Sequence, residues 1–208
     1  MAYPSSNLGK ITRKYDPKSR AKPNLCPITK ISNMTKTVLK FGSISGAIVA
    51  FMLIAMALIG MEKVMFGPWG MVIGFGSMLI AFAFIFVGIK HYRDKVSNGR
   101  ITFAKALQVG LLIAFIASTF YVVTWLVEYY VFIPDFFEKY AAASLENAKA
   151  SGKSPAEIAE VISELDKSRE IYETPIGVVL FTYFEILPLG IIVSIIAALV
   201  MMRKSLKS

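Results

Sequence analysis

Two glutamates lie in or directly beside long apolar stretches, where an ionisable group is by default a candidate site for ion or proton binding. Glu185 is the only charged residue of the apolar stretch nearest the C-terminus, and Glu128 directly follows another such stretch. Tyr121 and Thr124 precede Glu128 at helical spacing, so we expect them on one stripe of a helix. Pro188 would free a backbone carbonyl near Glu185 as a further ligand oxygen. The four polar side chains are therefore a candidate proton or cation site.

An aromatic belt at a membrane surface explains the same carboxylates equally well. Glu185 lies 17 residues before Met202, which is roughly 26 Å along a helix and near the outer boundary of a bilayer rather than its midplane. In this interpretation a carboxylate bonds to a neighbouring Tyr, Trp or Thr side chain. Glu128 falls at the same level, as do Trp69, Trp125, Tyr129, Tyr130 and Tyr183. The sequence leaves both interpretations open.

No other pattern in the sequence predicts catalysis or a bound cofactor. His91 is the only histidine and lies among cations, so we interpret it as an interfacial side chain rather than a metal ligand. Cys26 is the only cysteine, which excludes an internal disulfide. The chain has no glycine-rich phosphate loop, nucleophile elbow or zinc-protease histidine pair. We therefore predict no enzymatic activity, no metal and no cofactor.

Four long apolar stretches must position these residues. Residues 41–61, 69–89 and 106–127 carry no charge, and residues 174–202 carry only Glu185. A bilayer core about 30 Å thick requires roughly 20 apolar residues of helix. The sequence predicts an all-α, polytopic membrane protein with one four-helix domain over 34–208, whose fourth span covers about 176–202.

The basic residues predict an orientation. Seventeen Lys/Arg lie in residues 1–40, in the second connection or at the C-terminus, whereas six lie in the first and third connections. The positive-inside rule then places both termini in the cytoplasm and the acidic third connection outside. We do not expect nucleic acid as a partner, because the bases fringe the spans without interleaved aromatic residues.

The third connection is acidic and is predicted to be structured. Residues 128–173 hold ten Asp/Glu against five Lys/Arg. A helical pattern begins at Pro134, and Ser154-Pro155-Ala156-Glu157 is the signature of a second helix start, a capping box with proline at the first helical position. We expect an extracytoplasmic helical hairpin over about 134–173, which either covers the mouth of the bundle or docks a partner.

Residues 1–33 are rich in Pro, Ser, Asn and Lys, which is typical of a disordered basic tail. Met34 opens the unit that leads into the first span. Our hypothesis is that Met34 is the native start and that residues 1–33 are an upstream extension, which N-terminal mass analysis would test.

Small residues recur at helical spacing along the spans and predict close helix packing, because helices in lipid approach through small side chains. Within one chain they would pack the bundle, and between chains they would form a homo-oligomer or bind another membrane protein. The residues concerned are Gly42, Gly46, Gly70, Gly74, Ser77, Gly110 and Gly190.

Four segments resemble a known family. They are GIKHYRD at 88–94, GRITFAKA at 99–106, FIPDF at 132–136 and EILPLG at 185–190. Together they resemble the small bacterial membrane proteins catalogued as domain of unknown function four-one-nine-nine, over about residues 36–204. The resemblance implies four transmembrane helices in a bacterial inner membrane. It implies no activity and no catalytic residues.

We hold three functional hypotheses. The first is a non-enzymatic accessory or envelope-organising protein that acts through helix–helix and periplasmic contacts. The second is an oligomeric subunit of a small-ion or small-solute permease that uses Glu185. The third is a membrane-embedded enzyme. The lipid bilayer is the partner common to all three.

Overall fold

The computed structural model describes residues 27–65 and 70–202. All regular elements in these ranges are helices, in agreement with the predicted all-α class. The α-helices are α1 (Pro27–Met65), α2 (Gly70–His91), α3 (Phe103–Val127), α4 (Phe136–Ala150), α5 (Pro155–Tyr172) and α6 (Pro175–Met201). Two π-helical turns, Tyr92–Val96 and Glu128–Phe132, continue α2 and α3.

The four predicted spans are confirmed as helices long and apolar enough to cross a membrane. The qualifying segments are Ser32–Ile59, Val72–Val96, Phe103–Phe132 and Pro175–Met201. At 1.5 Å per residue, the 27 residues of α6 extend about 40 Å, which exceeds the roughly 30 Å of a bilayer core. Its first turns can therefore project beyond the bilayer and meet α5.

Several boundaries differ from the expected ones. Helix α1 begins at Pro27, before the predicted domain start at residue 34. The third span continues through the π-helical turn to Phe132, because this wider turn extends the helix beyond Val127. The rest of the predicted tail, residues 1–26, lies outside the described residues. Trp69 of the predicted belt lies outside them as well.

Helix α3 is the centre of the bundle, since it packs against α1, α2 and α6. The interior is filled by apolar side chains that are fully buried or nearly so, among them Phe82, Ile85, Ile113 and Ile186. One buried polar contact joins two helices, where the Ser45 hydroxyl donates to the backbone carbonyl of Ala81 at 2.7 Å. Such filling leaves little room for a ligand between the helices in the middle of the bundle.

Helices α4 and α5 lie at the end of the bundle where α3 ends and α6 begins, which we call the α4–α5 end. They contact each other, and α5 also contacts α6. Helix α5 has the capping box that the sequence predicts: the Ser154 hydroxyl accepts from the Glu157 N–H, and the Glu157 carboxylate accepts from the Ser154 N–H. Gly152 in the connection has φ +72°, a conformation that glycine adopts without strain.

Candidate functional site

Glu185 lines a cavity of about 200 Å³ at the α4–α5 end, which we call the aromatic cavity. Three other helices meet α6 there. Each of the four helices contributes two residues four apart, which places both on one helix face. These pairs are Tyr121 and Trp125 on α3, Phe136 and Tyr140 on α4, Ser168 and Tyr172 on α5, and Phe181 and Glu185 on α6.

The aromatic rings of this cavity contact one another in edge-to-face, tilted and stacked arrangements. Trp125 and Phe136 have ring centroids 4.8 Å apart with planes at 88°. Tyr172 and Phe181 are 5.3 Å apart at 65°. Phe137, which also lines the cavity, lies 5.7 Å from Tyr172. These contacts fix the walls of the cavity and join α4 and α5 to the bundle.

Among the described residues, Glu185 is the only charged one that lines the aromatic cavity. Its side chain is exposed, and no hydrogen bond or ion pair to it is found in the described part of the chain. Burial raises the pKa of the Tyr172 phenol and the Glu185 carboxylate raises it further, so that this phenol is neutral at physiological pH. The cavity therefore offers one accessible carboxylate among neutral aromatic groups.

Glu128 and Thr124 line a different and more apolar cavity of about 470 Å³, which we call the Glu128 groove. It lies between α1, the end of α3 and the following π-helical turn. Glu128 is only 2% exposed, and neither carboxylate oxygen has a hydrogen-bond partner within the described ranges. A carboxylate is rarely buried in this way, since desolvation is costly without a compensating hydrogen bond or counter-charge.

The structure thus brings Glu185 and Tyr121 together but places Glu128 and Thr124 in a separate cavity. Tyr121 and Thr124 are three residues apart, so they point about 60° apart around α3. Tyr121 faces the α4–α5 side, whereas Thr124 and Glu128 face α1. The single proton or cation site predicted from all four residues stays a prediction, whose members line two cavities in this structure.

Glycines of α1, α3 and α6 lie where helices approach closely. A Cβ at Gly42 would meet Ile116 at 2.8 Å, and one at Gly46 would meet Phe120 at 2.6 Å. Gly110 lies against Ser194, with 3.1 Å from such a Cβ to the serine Cβ. Likewise, Gly190 lies against Ala114, at 3.0 Å. These four glycines pack within the chain.

The small residues in the first part of α2 behave differently. A Cβ at Gly74 would meet nothing within 4 Å in this chain. The Ser77 hydroxyl donates to the Gly74 carbonyl at 2.7 Å, a bond within α2 itself. Gly70 is the first residue of α2. The stretch around Gly74 therefore remains open in the single chain.

Sequence reasoning missed the contribution of the connection to the cavity. Five lining residues come from the predicted hairpin, and none of them was predicted to belong to a site. They are Phe136, Phe137, Tyr140, Ser168 and Tyr172. The signal available was the spacing of Phe136 and Tyr140, which repeats that of Tyr121 and Trp125. The described residues contain no group of three or more His, Cys, Asp or Glu placed to hold a metal.

These features define a multi-pass helical membrane protein with a carboxylate-containing aromatic cavity at one end. Residues 40–203 match the family described as "Protein of unknown function (DUF4199)". The match covers most of the chain, so the protein belongs to this family. No curated protein and no solved structure matches the chain.

Proposed function

We propose that the protein is a non-enzymatic accessory or envelope-organising protein of the bacterial cytoplasmic membrane. It acts through contacts between helices in the bilayer and through contacts made by α4 and α5 on the periplasmic side. The excess of Lys/Arg near the termini supports this orientation.

The observation that carries this proposal is the limited packing of α5. The helix has 18 residues and a complete capping box, yet none of its residues is buried. Its apolar face is only partly covered by α4: Ile158, Val161 and Leu165 are half-buried, and Ile162 is 43% exposed. An apolar face left open on a well-formed amphipathic helix is typical of a helix that binds a partner.

The open surface around Gly74 supports the second kind of contact. Glycines that face lipid leave a groove into which another transmembrane helix can pack closely. Because a Cβ at Gly74 would meet no atom of this chain within 4 Å, intrachain packing does not require the glycine. Another membrane protein is the occupant we propose for the accessory function, whereas a second copy would fit the permease candidate described next.

A permease subunit is the second candidate, and the position of Glu185 favours it. Glu185 lines a cavity instead of facing only lipid. The bundle interior is closed by fully buried side chains such as Phe82 and Ile113, so that a pathway would have to form between copies. Ion flux in liposomes that disappears in Glu185→Gln would favour this candidate.

Native mass spectrometry of tagged protein, gently extracted from its own membrane, tests the proposal. We expect a second polypeptide in stoichiometric amount, which is lost in Ile162→Asp and retained in Ser163→Asp. These neighbours are both exposed on α5, but only Ile162 belongs to the apolar face.

Two other outcomes would contradict the accessory function. A defined homo-oligomer without a second polypeptide would favour the permease candidate and make the flux assay decisive. Turnover of a lipid substrate by the purified protein, abolished by a point substitution at the aromatic cavity, would identify an enzyme instead.

A further inference from the structure

We propose that the aromatic cavity binds a quaternary or alkylated ammonium group. The inference rests on the cavity alone and does not require the partner contacts of the proposed function. It names a ligand class for a site lined by seven aromatic side chains, one serine and one carboxylate.

The composition of the walls matches the chemistry of an organic cation. The face of an aromatic ring carries partial negative charge, and a cage of such faces stabilises an ammonium group whose alkyl substituents prevent strong hydration. Trp125, Tyr172 and Phe181 supply rings from three helices, and Glu185 supplies a carboxyl group. A hard metal ion is usually held by several carboxylate or carbonyl oxygens, whereas the described lining residues supply one carboxylate and otherwise only Ser and Tyr hydroxyls.

The size of the cavity limits the ligand. Its volume is about 200 Å³, below the roughly 300 Å³ at which sites for drug-sized molecules begin. A trimethylammonium group or a similarly small amine is the appropriate size. The group can belong to a soluble cation or to the headgroup of a lipid, because the cavity lies at the α4–α5 end of the bundle rather than in its middle.

One ring of the cavity wall already contacts a cation. The Arg169 guanidinium carbon of α5 lies 5.5 Å from the ring centroid of Phe137, one of the rings that line the cavity. Arg169 itself does not line the cavity. The carboxylate of Glu185 is left without a partner in the described residues, so a cation that enters meets an unneutralised charge.

Binding can be followed by the fluorescence of Trp125, which lies in the cavity wall. The chain has two tryptophans, so Trp69→Phe leaves Trp125 as the only reporter. Purified Trp69→Phe protein in maltoside micelles is titrated with tetramethylammonium chloride at constant ionic strength, with potassium chloride as the reference salt. We expect a saturable change with tetramethylammonium and none with potassium.

Variants in the same background assign the site. We expect Glu185→Gln to weaken binding at least about tenfold, since it removes a charged contact. Phe181→Leu should also weaken binding, and because Phe181 is 37% exposed its truncation leaves no buried void. Glu173→Gln, an exposed acid close in sequence but outside the cavity, should bind as the parent does.

Three results would overturn the proposal: no saturable change, an equal response to potassium, or unchanged binding in both Glu185→Gln and Phe181→Leu. The unfolding midpoint of each variant is measured as a check that it folds. If either Glu185→Gln or Phe181→Leu does not fold, binding by the other variant tests the proposal.

Changing the lipid around the protein distinguishes a lipid headgroup from a soluble cation as the natural ligand. The titration is repeated in nanodiscs of phosphatidylglycerol alone and of phosphatidylglycerol mixed with phosphatidylcholine. A lipid headgroup as natural ligand predicts weaker apparent binding of tetramethylammonium in the mixed discs, because the trimethylammonium headgroup competes. A soluble ligand predicts equal binding in both.

Discussion

Replacing Glu128 by methionine should stabilise the protein. The Glu128 side chain is 2% exposed and both its oxygens lack a hydrogen-bond partner in the described residues. A buried polar group without a partner costs about 1–3 kcal/mol, and an ionised one costs more. Methionine is similar to glutamate in length and flexibility, and it has no polar atom that needs a strong hydrogen-bond partner. We expect the free energy of unfolding of Glu128→Met to rise by about 1–3 kcal/mol.

Glutamine at the same position separates charge from polarity. Glu128→Gln keeps the shape and two polar atoms but cannot ionise, so its stability should lie between those of the parent and Glu128→Met. The assay is equilibrium unfolding in mixed micelles of maltoside and dodecyl sulfate, followed by far-ultraviolet circular dichroism. Glu173→Met, at an exposed position, is the matched control and should change stability by less than about 0.5 kcal/mol.

One result would refute this reasoning. If Glu128→Met were less stable than the parent while Glu173→Met was unchanged, the carboxyl group would have to be held by a favourable contact in the membrane. Glu128 would then be a structural group rather than an uncompensated one. An increase in stability for both variants would equally remove the argument, since it would reflect loss of negative charge in general.

Three further predictions follow from single contacts. Gly46→Ala should destabilise the bundle by about 1–3 kcal/mol through overpacking, whereas Gly74→Ala should be tolerated. Equilibrium unfolding in the same micelles compares the two variants, and equal losses of stability would contradict the glycine contacts described above. The hydroxyls of Thr119 and Tyr183 are 2.9 Å apart. Thr119→Val and Tyr183→Phe should therefore each lower the free energy of unfolding by about 0.6 kcal/mol, and the double variant should lower it by little more. Fully additive losses would exclude a hydrogen bond between the two side chains. Hydrogen bonds from the Ser154 hydroxyl and N–H hold the pKa of Glu157 below its usual range. The stability that Glu157 adds over Glu157→Gln is therefore present above about pH 4.3 and lost as pH falls further. Unfolding midpoints at neutral and acidic pH measure this, and a constant difference would contradict it.

Apolar length and local chemistry were enough to predict the fold. A run of about 20 uncharged residues has few alternatives to a transmembrane helix, and four such runs define the bundle. The capping box at Ser154 was also predictable, because its two hydrogen bonds join residues three apart in the sequence. Both inferences depend on information contained in one short segment.

The aromatic cavity could not be predicted in the same way. It joins Tyr121 of α3 to Glu185 of α6 through residues of two intervening helices, and nothing local specifies which faces of these helices meet. The sequence argument used depth along the helices, which is one coordinate, and therefore grouped Glu128 with Glu185. Rotation about α3 is the second coordinate, and tertiary packing determines it.

The two glutamates also differ in what their surroundings allow them to do. Glu185 is exposed and lines a cavity together with aromatic residues, so the proposed cation would compensate its charge from outside. Glu128 is enclosed by apolar side chains and no described group compensates it. Features that lower stability, such as a buried carboxylate without a partner, occur most often at functional sites. If the proposed partner polypeptide is found, a Glu128→Met protein that is more stable but no longer retains it would assign the Glu128 groove to partner binding, whereas retention would leave the α5 face as the contact surface.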